Sequence, residues 1–114
     1  MKDSILQCVT TYHYQIISLL LFFCGLCGVI ISRNFLKILI SLEFIINAIN
    51  LLFISFASYK SDMSYIGYSI VLFTTGISAI IMAIGLYMSY LIYKHFGTVD
   101  VLKVYDKYKD IKEC

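Results

Sequence analysis

The sequence predicts an all-α membrane protein with three transmembrane helices and a short amphipathic tail. Three observations carry that expectation. Of its 114 residues, 61% are hydrophobic and only 14% are charged, whereas soluble domains average roughly a quarter charged and under half apolar. The mean hydropathy is +0.87. The apolar residues also fall in long runs, each near the ~20 residues that a membrane-spanning helix needs. The alternating segments of about ten residues that mark a membrane β-barrel are not seen. A chain of this length is one structural unit, without a separate soluble domain for ordinary active-site chemistry.

The first apolar segment covers residues 14–31, the second 35–56 and the third 65–93. Ser32-Arg33-Asn34 leaves room only for a tight turn between antiparallel helices. The second connection, residues 58–64, is polar and slightly longer. Gly97 follows Lys94-His95-Phe96 and is a helix stop. Residues 1–96 therefore form the transmembrane unit and residues 97–114 a polar tail. Leu102, Tyr105 and Tyr108 recur there at helical spacing, as in a helix that lies on the membrane surface or on a neighbour.

Basic residues set the orientation. Lys2 and Lys60 stand on one side, and Arg33, Lys37, Lys94, Lys103, Lys107, Lys109 and Lys112 on the other. The positive-inside rule puts the C-terminus in the cytoplasm or matrix and the N-terminus in the periplasm or intermembrane space. The first dozen residues lack the layout of a signal peptide and an Arg-rich amphipathic leader. With a residue bias that suits an AT-rich genome, this points to an organelle-encoded chain of the mitochondrial inner membrane, with the bacterial inner membrane as the alternative.

Glu43 is the residue that stands out. It lies about eight residues into the second segment, roughly 12 Å below the nearer interface, where an unpaired charge is expensive and a carboxylate is a functional candidate by default. Glu43 is expected either to serve as a proton relay or to form a fixed buried ion pair between two helices. Asn47 and Asn50 follow at four and seven residues, on the same helical face. Asn47 is a candidate hydrogen-bond or water partner for Glu43, and Asn50 a residue that holds helices together. Lys37 can reach the interface along its alkyl stem, as an orientation marker or as a participant in proton exchange with the aqueous phase.

Other features argue for packing. Cys24 and Cys27 form a C-x-x-C, but inside an apolar helix without a histidine or a second pair they read as small packing residues. Cys8 and Cys114 complete the four cysteines, with no disulfide framework implied. His13 and His95 stand at the membrane edges without a ligand constellation. There is no metal spacing, glycine-rich phosphate loop, haem-attachment sequence or nucleophile–base pair. The tail balances four lysines with four acidic residues, which excludes a nucleic-acid site. Small residues at helical spacing, Gly25 and Gly28 on the first helix and Gly76, Ala79 and Ala83 on the third, let helices approach closely in lipid and point to a subunit of a larger assembly.

The window from Arg33 to Leu52, with the pattern R-N-x-L, then L-x-L-E-x-x-x-N-A-x-N, resembles subunit K of bacterial NADH:quinone oxidoreductase and its mitochondrial counterpart, chain 4L of complex I. The resemblance extends over about residues 19–94 and includes Ala83-Ile-Gly85-Leu86 near the end of the third helix. It implies a core subunit of the proton-conducting membrane arm, an obligate hetero-oligomer that packs against other membrane-arm subunits and the lipid bilayer. The complex carries FMN and iron–sulfur clusters and uses NADH and a quinone, and this subunit holds no cofactor of its own. Glu43 matches the family's glutamate on the second helix. The family's further glutamate on the third helix falls at Ile81, or at Ala79 on a shifted alignment, so this chain departs from the pattern there. Two alternatives accompany this reading: a small subunit of a multisubunit sodium/proton antiporter, and a purely structural assembly subunit.

Overall fold

A computed structural model describes residues 1–59, 62 and 64–113. Lys60, Ser61 and Met63 of the second connection, and Cys114, lie outside the described residues. The described residues form four α-helices: α1 (Lys2–Ile31), α2 (Phe35–Tyr59), α3 (Ser64–Phe96) and α4 (Val101–Glu113). The first three are long and apolar enough to cross a membrane.

These three lie side by side as a layer rather than a closed bundle. The molecule measures 72 × 24 × 17 Å, and α2 stands in the middle, packed against α1 on one side and α3 on the other. Little of the layer is buried. Among the described residues, Ala48 and Ala57 are the buried hydrophobic side chains, and the remainder of the interior is Gly25, Gly85, Thr11, Ser18, Ser41, Asn50, Ser55, Ser78 and Ser89. The large side chains, such as Leu20, Phe23, Phe56 and Leu72, point outward. This inversion of a soluble core is expected where lipid is as apolar as leucine. Helices then gain more from close backbone approach than from burying bulk.

The α1·α2 seam runs antiparallel along its whole length. Gly28 faces Ser41, Gly25 faces Ile45, Ser18 faces Ala48, Thr11 faces Ser55 and Gln7 faces Ser58. Helix α1 thus begins twelve residues before the apolar segment that starts at Tyr14. Its first turns carry Gln7, Thr10 and Thr11, which depress hydropathy without disfavouring a helix. Thr10 and Thr11 donate to the carbonyls of Leu6 and Gln7, the usual four-residue back-bond of a helical hydroxyl. Gln7 Nε2 donates to the Ser58 carbonyl at 3.2 Å. At thirty residues and 1.5 Å per residue, α1 is about 45 Å long, and α3 longer still. Both exceed the ~30 Å hydrocarbon core and must tilt or protrude.

At the opposite end two connections are joined. Asn34 Oδ1 accepts from the Leu36 amide at 3.0 Å and caps α2, while Asp100 Oδ1 accepts from the Leu102 amide at 3.1 Å and caps α4. Such oxygens satisfy amide donors that the first helical turn leaves free. The same two residues pair as an isolated antiparallel bridge, with the Phe35 amide donating to Val99 and the Val101 amide donating to Arg33. Gly97, at φ +72°, ends α3 in the left-handed conformation that glycine adopts freely. Lys107 Nζ donates to the Phe96 carbonyl at 2.6 Å, a cation at the negative end of the α3 dipole. The tail is thereby tied back to the layer.

Candidate functional site

Helix geometry decides which polar residues of α2 meet α3. At about 100° per residue, Asn50 falls roughly 20° from Glu43 around the helix on the side that α3 occupies. Asn47 falls roughly 40° away on the opposite side. The observed exposure follows: Glu43 is half-buried, Asn50 is buried and Asn47 is exposed. Leu39 against Gly85 and Ala57 against Gly67 fix an antiparallel register in which Glu43 meets Ser78.

That meeting is the centre of the site. Ser78 Oγ donates to Glu43 Oε2 at 2.6 Å, and Ser78 is only 3% exposed. The distance lies in the 2.5–2.7 Å range of a hydroxyl bonded to a carboxylate. Glu43 Oε1 takes no partner among the described residues, and it is not among the side-chain atoms sealed within the chain. One carboxylate oxygen is held inside the seam and the other is open to whatever packs on the layer.

Further along the seam, Asn50 Nδ2 donates to Thr75 Oγ1 at 3.4 Å, a long contact. Thr75 sends its own proton to the Val71 carbonyl, so it can only accept from Asn50. Asn50 Oδ1 is buried without a donor among the described residues, an arrangement that costs free energy in an apolar setting.

Among the sequence candidates, Glu43 and Asn50 come to this seam, whereas Asn47 and Lys37 do not. Among the described residues the hydrogen bond to Glu43 comes from Ser78, because α3 lies on the far side of Glu43 from Asn47. Lys37 is exposed near the start of α2, and among the described residues no ion pair holds Glu43. Ile81 is 54% exposed and Ala79 is exposed as well. An acid at either position would face outward, not across the seam to Glu43. Ser78 carried no signal of its own. The spacing of Ser78, Gly85 and Ser89, which are all buried, marks the inner face of α3 in retrospect. Gly25 and Gly28 pack within the chain, while Gly76, Ala79 and Ala83 lie on the open face of α3. Cys24 and Cys27 are free and exposed, and the His13 and His95 side chains are exposed. No group of three potential metal ligands occurs among the described residues. The cavity beside Ser18 and Phe22 is apolar and does not include Glu43.

Fold and seam together define a small multi-pass membrane protein, built to pack in a larger assembly, with a single acidic side chain within its apolar spans. Comparison with known proteins makes this more particular. Residues 13–106 match the family described as NADH-ubiquinone/plastoquinone oxidoreductase chain 4L. The NADH-quinone oxidoreductase subunit K of Bdellovibrio bacteriovorus is 32% identical over 101 residues, 89% of this chain and 92% of that protein. Its namesake in Wolinella succinogenes is 37% identical over 93 residues, 82% of this chain and 91% of that protein. A chloroplast relative in Nephroselmis olivacea, NAD(P)H-quinone oxidoreductase subunit 4L, is 36% identical over 87 residues, 76% of this chain and 86% of that protein. The chain belongs to the chain 4L (subunit K) family and is a subunit of the multisubunit NADH-quinone oxidoreductase, complex I.

Proposed function

We propose that Glu43 exchanges a proton within the membrane arm of this complex, so that the chain contributes to proton translocation coupled to electron transfer from NADH to a quinone. The observation that supports the reading is the two-sided carboxylate: Oε2 rests on Ser78, and Oε1 takes no partner among the described residues and is not sealed within the chain. A proton can then arrive or leave through Oε1 by way of a neighbouring subunit, while the anchored oxygen keeps the group in place. A carboxylate at this depth is a costly feature to retain for packing alone.

The chain does no redox chemistry in this reading. Electrons, flavin, iron–sulfur clusters and quinone belong to other subunits. With seven basic residues on the side of the α1–α2 connection and α4, that side faces the cytoplasm or matrix. The proton path would be completed by the neighbours, since helix α3 has Ile81, or Ala79 on a shifted alignment, where the family pattern has an acid.

Replacing Glu43 with Gln tests the reading, because the amide keeps the shape and can still accept from Ser78. We expect the assembled complex to lose about tenfold or more of its NADH-driven proton translocation, a factor that corresponds to ~1.4 kcal/mol. Full translocation by that variant would leave Glu43 a packing residue and the chain an assembly subunit.

A further inference from the structure

Ser78 differs in its acceptor from seven other hydroxyls of the spanning helices. Thr10, Thr11, Ser41, Thr74 and Thr75 each donate to the carbonyl four residues back. Ser18 and Ser55 cross the α1·α2 seam, but they too end on backbone carbonyls, of Ala48 and Thr11. These acceptors are fixed and carry no changeable charge. Ser78 donates to a carboxylate, whose attraction for a hydroxyl proton depends on whether it is ionised. The carbonyl of Thr74, one turn back, offers Ser78 the same alternative acceptor that Thr74 and Thr75 use at Ile70 and Val71.

From this geometry we infer that Ser78 is a positioning residue for Glu43: its hydroxyl holds Oε2 of the ionised carboxylate so that Oε1 faces the neighbouring subunit, and turns to the Thr74 carbonyl when the carboxyl is neutral. The inference rests on the proton-exchange reading of Glu43 and adds a device to it. The proton enters and leaves at Oε1, forming and breaking one O–H bond there, and Ser78 keeps its own proton throughout. The hydroxyl rotation costs little, because a helical serine forms the back-bond as a matter of course. Burial of Ser78 restricts it to these two acceptors. Neither the departing third-helix position Ile81 nor Asn47 can do this, since both face away from the seam.

The test uses the assembled complex with three variants: Ser78→Ala, Ser78→Thr and Glu43→Gln. Two readouts respond to positioning and not to packing alone, namely the pH profile of NADH-driven proton translocation and the infrared band of the Glu43 carboxyl, assigned by its loss in Glu43→Gln. Ser78→Ala is expected to shift the profile by about half a pH unit or more, a change well within what one lost hydrogen bond can produce, and to move the band. Ser78→Thr, which keeps a hydroxyl, is expected to restore both. An assembled Ser78→Ala complex with profile and band unmoved would overturn the inference, as would Thr and Ala variants that behave alike. Should Ser78→Ala fail to assemble, Ser78→Cys takes its place with nearly the same volume and a weak donor, and the same shifts decide. Translocation intact in Glu43→Gln would instead remove the proton-exchange reading itself, so the two failures are distinguishable.

Discussion

The two seams of the layer are built from similar residues and do different things with them. Along α1·α2, glycine meets serine and, among the described residues, each crossing hydrogen bond ends on a backbone carbonyl: Ser18 on Ala48, Ser55 on Thr11, Gln7 on Ser58. Nothing there can change charge. Along α2·α3, polar side chains meet each other. Glu43 rests on Ser78, Asn50 leans on Thr75, and Asn50 Oδ1 has no donor among the described residues. The first seam is cement. The second is closely packed at Gly67 and Gly85 but carries a carboxylate and an unmet oxygen between those points. Membrane helices are joined well by small residues and satisfied hydroxyls. A seam that departs from that recipe is where function is to be sought.

The sharpest way to break this contrast is to overfill the cement. A Cβ at Gly28 would fall on Ser41 Oγ and lie 3.0 Å from Ser41 Cβ. Ser41 is itself buried and bonded to the Lys37 carbonyl, so it cannot give way. Gly28→Leu is expected to abolish incorporation of the chain into the complex, read on a native gel, and Gly28→Ala to cost about 1–3 kcal/mol, read as a lower dissociation temperature. Gly76 meets nothing within 4 Å in this chain. Gly76→Leu therefore leaves the three-helix layer intact, and a loss of assembly in that variant would report a neighbouring helix on the open face of α3.

Smaller effects sharpen the comparison. Ser18→Ala removes one crossing bond to a carbonyl that keeps its helical partner, so about 0.6 kcal/mol of stability should go, with proton translocation unchanged. On the other seam, Asn50→Leu takes away the unmet oxygen together with the long bond to Thr75. Replacing a poorly satisfied polar group by an apolar one of similar size is close to neutral or slightly stabilising. Thermal dissociation of the complex should move upward or stay, and a fall would show that Asn50 Oδ1 finds a donor in the assembly. Smallest of all, Lys107→Ala should loosen the tail by about 0.3–1 kcal/mol, seen as faster proteolysis between Gly97 and Val101 with activity retained.

Much of this was legible beforehand, for identifiable reasons. The runs from Tyr14, Phe35 and Tyr65 are apolar enough that three spanning helices follow from composition, and the cap at Asn34 and the stop at Gly97 fall where the polar breaks do. The first turns of α1 were hidden because hydropathy penalises Gln7, Thr10 and Thr11 without regard to the acceptors that satisfy them. Glu43 was visible because a lone acid in an apolar helix has few explanations. Its partner was not, because a serine in such a helix ordinarily bonds to its own backbone. Only the register set by Leu39 on Gly85 and Ala57 on Gly67 brings Ser78, thirty-five residues on, to the carboxylate. The choice between Asn47 and Asn50 likewise needed the side on which α3 packs. Spacings of four and seven place both amides near one face but on opposite flanks of it.

Whether the carboxyl of Glu43 must gain and lose a proton decides between a relay and a packing residue. The most direct measurement is lumenal acidification of proteoliposomes carrying the assembled complex during NADH oxidation, with Glu43→Gln and Glu43→Asp compared at matched complex content. Proton exchange at this position predicts strong loss with Gln and partial recovery with Asp, which keeps an ionisable group one methylene short of Ser78. Equal acidification by the native, Gln and Asp complexes would contradict it and return the α2·α3 seam to packing.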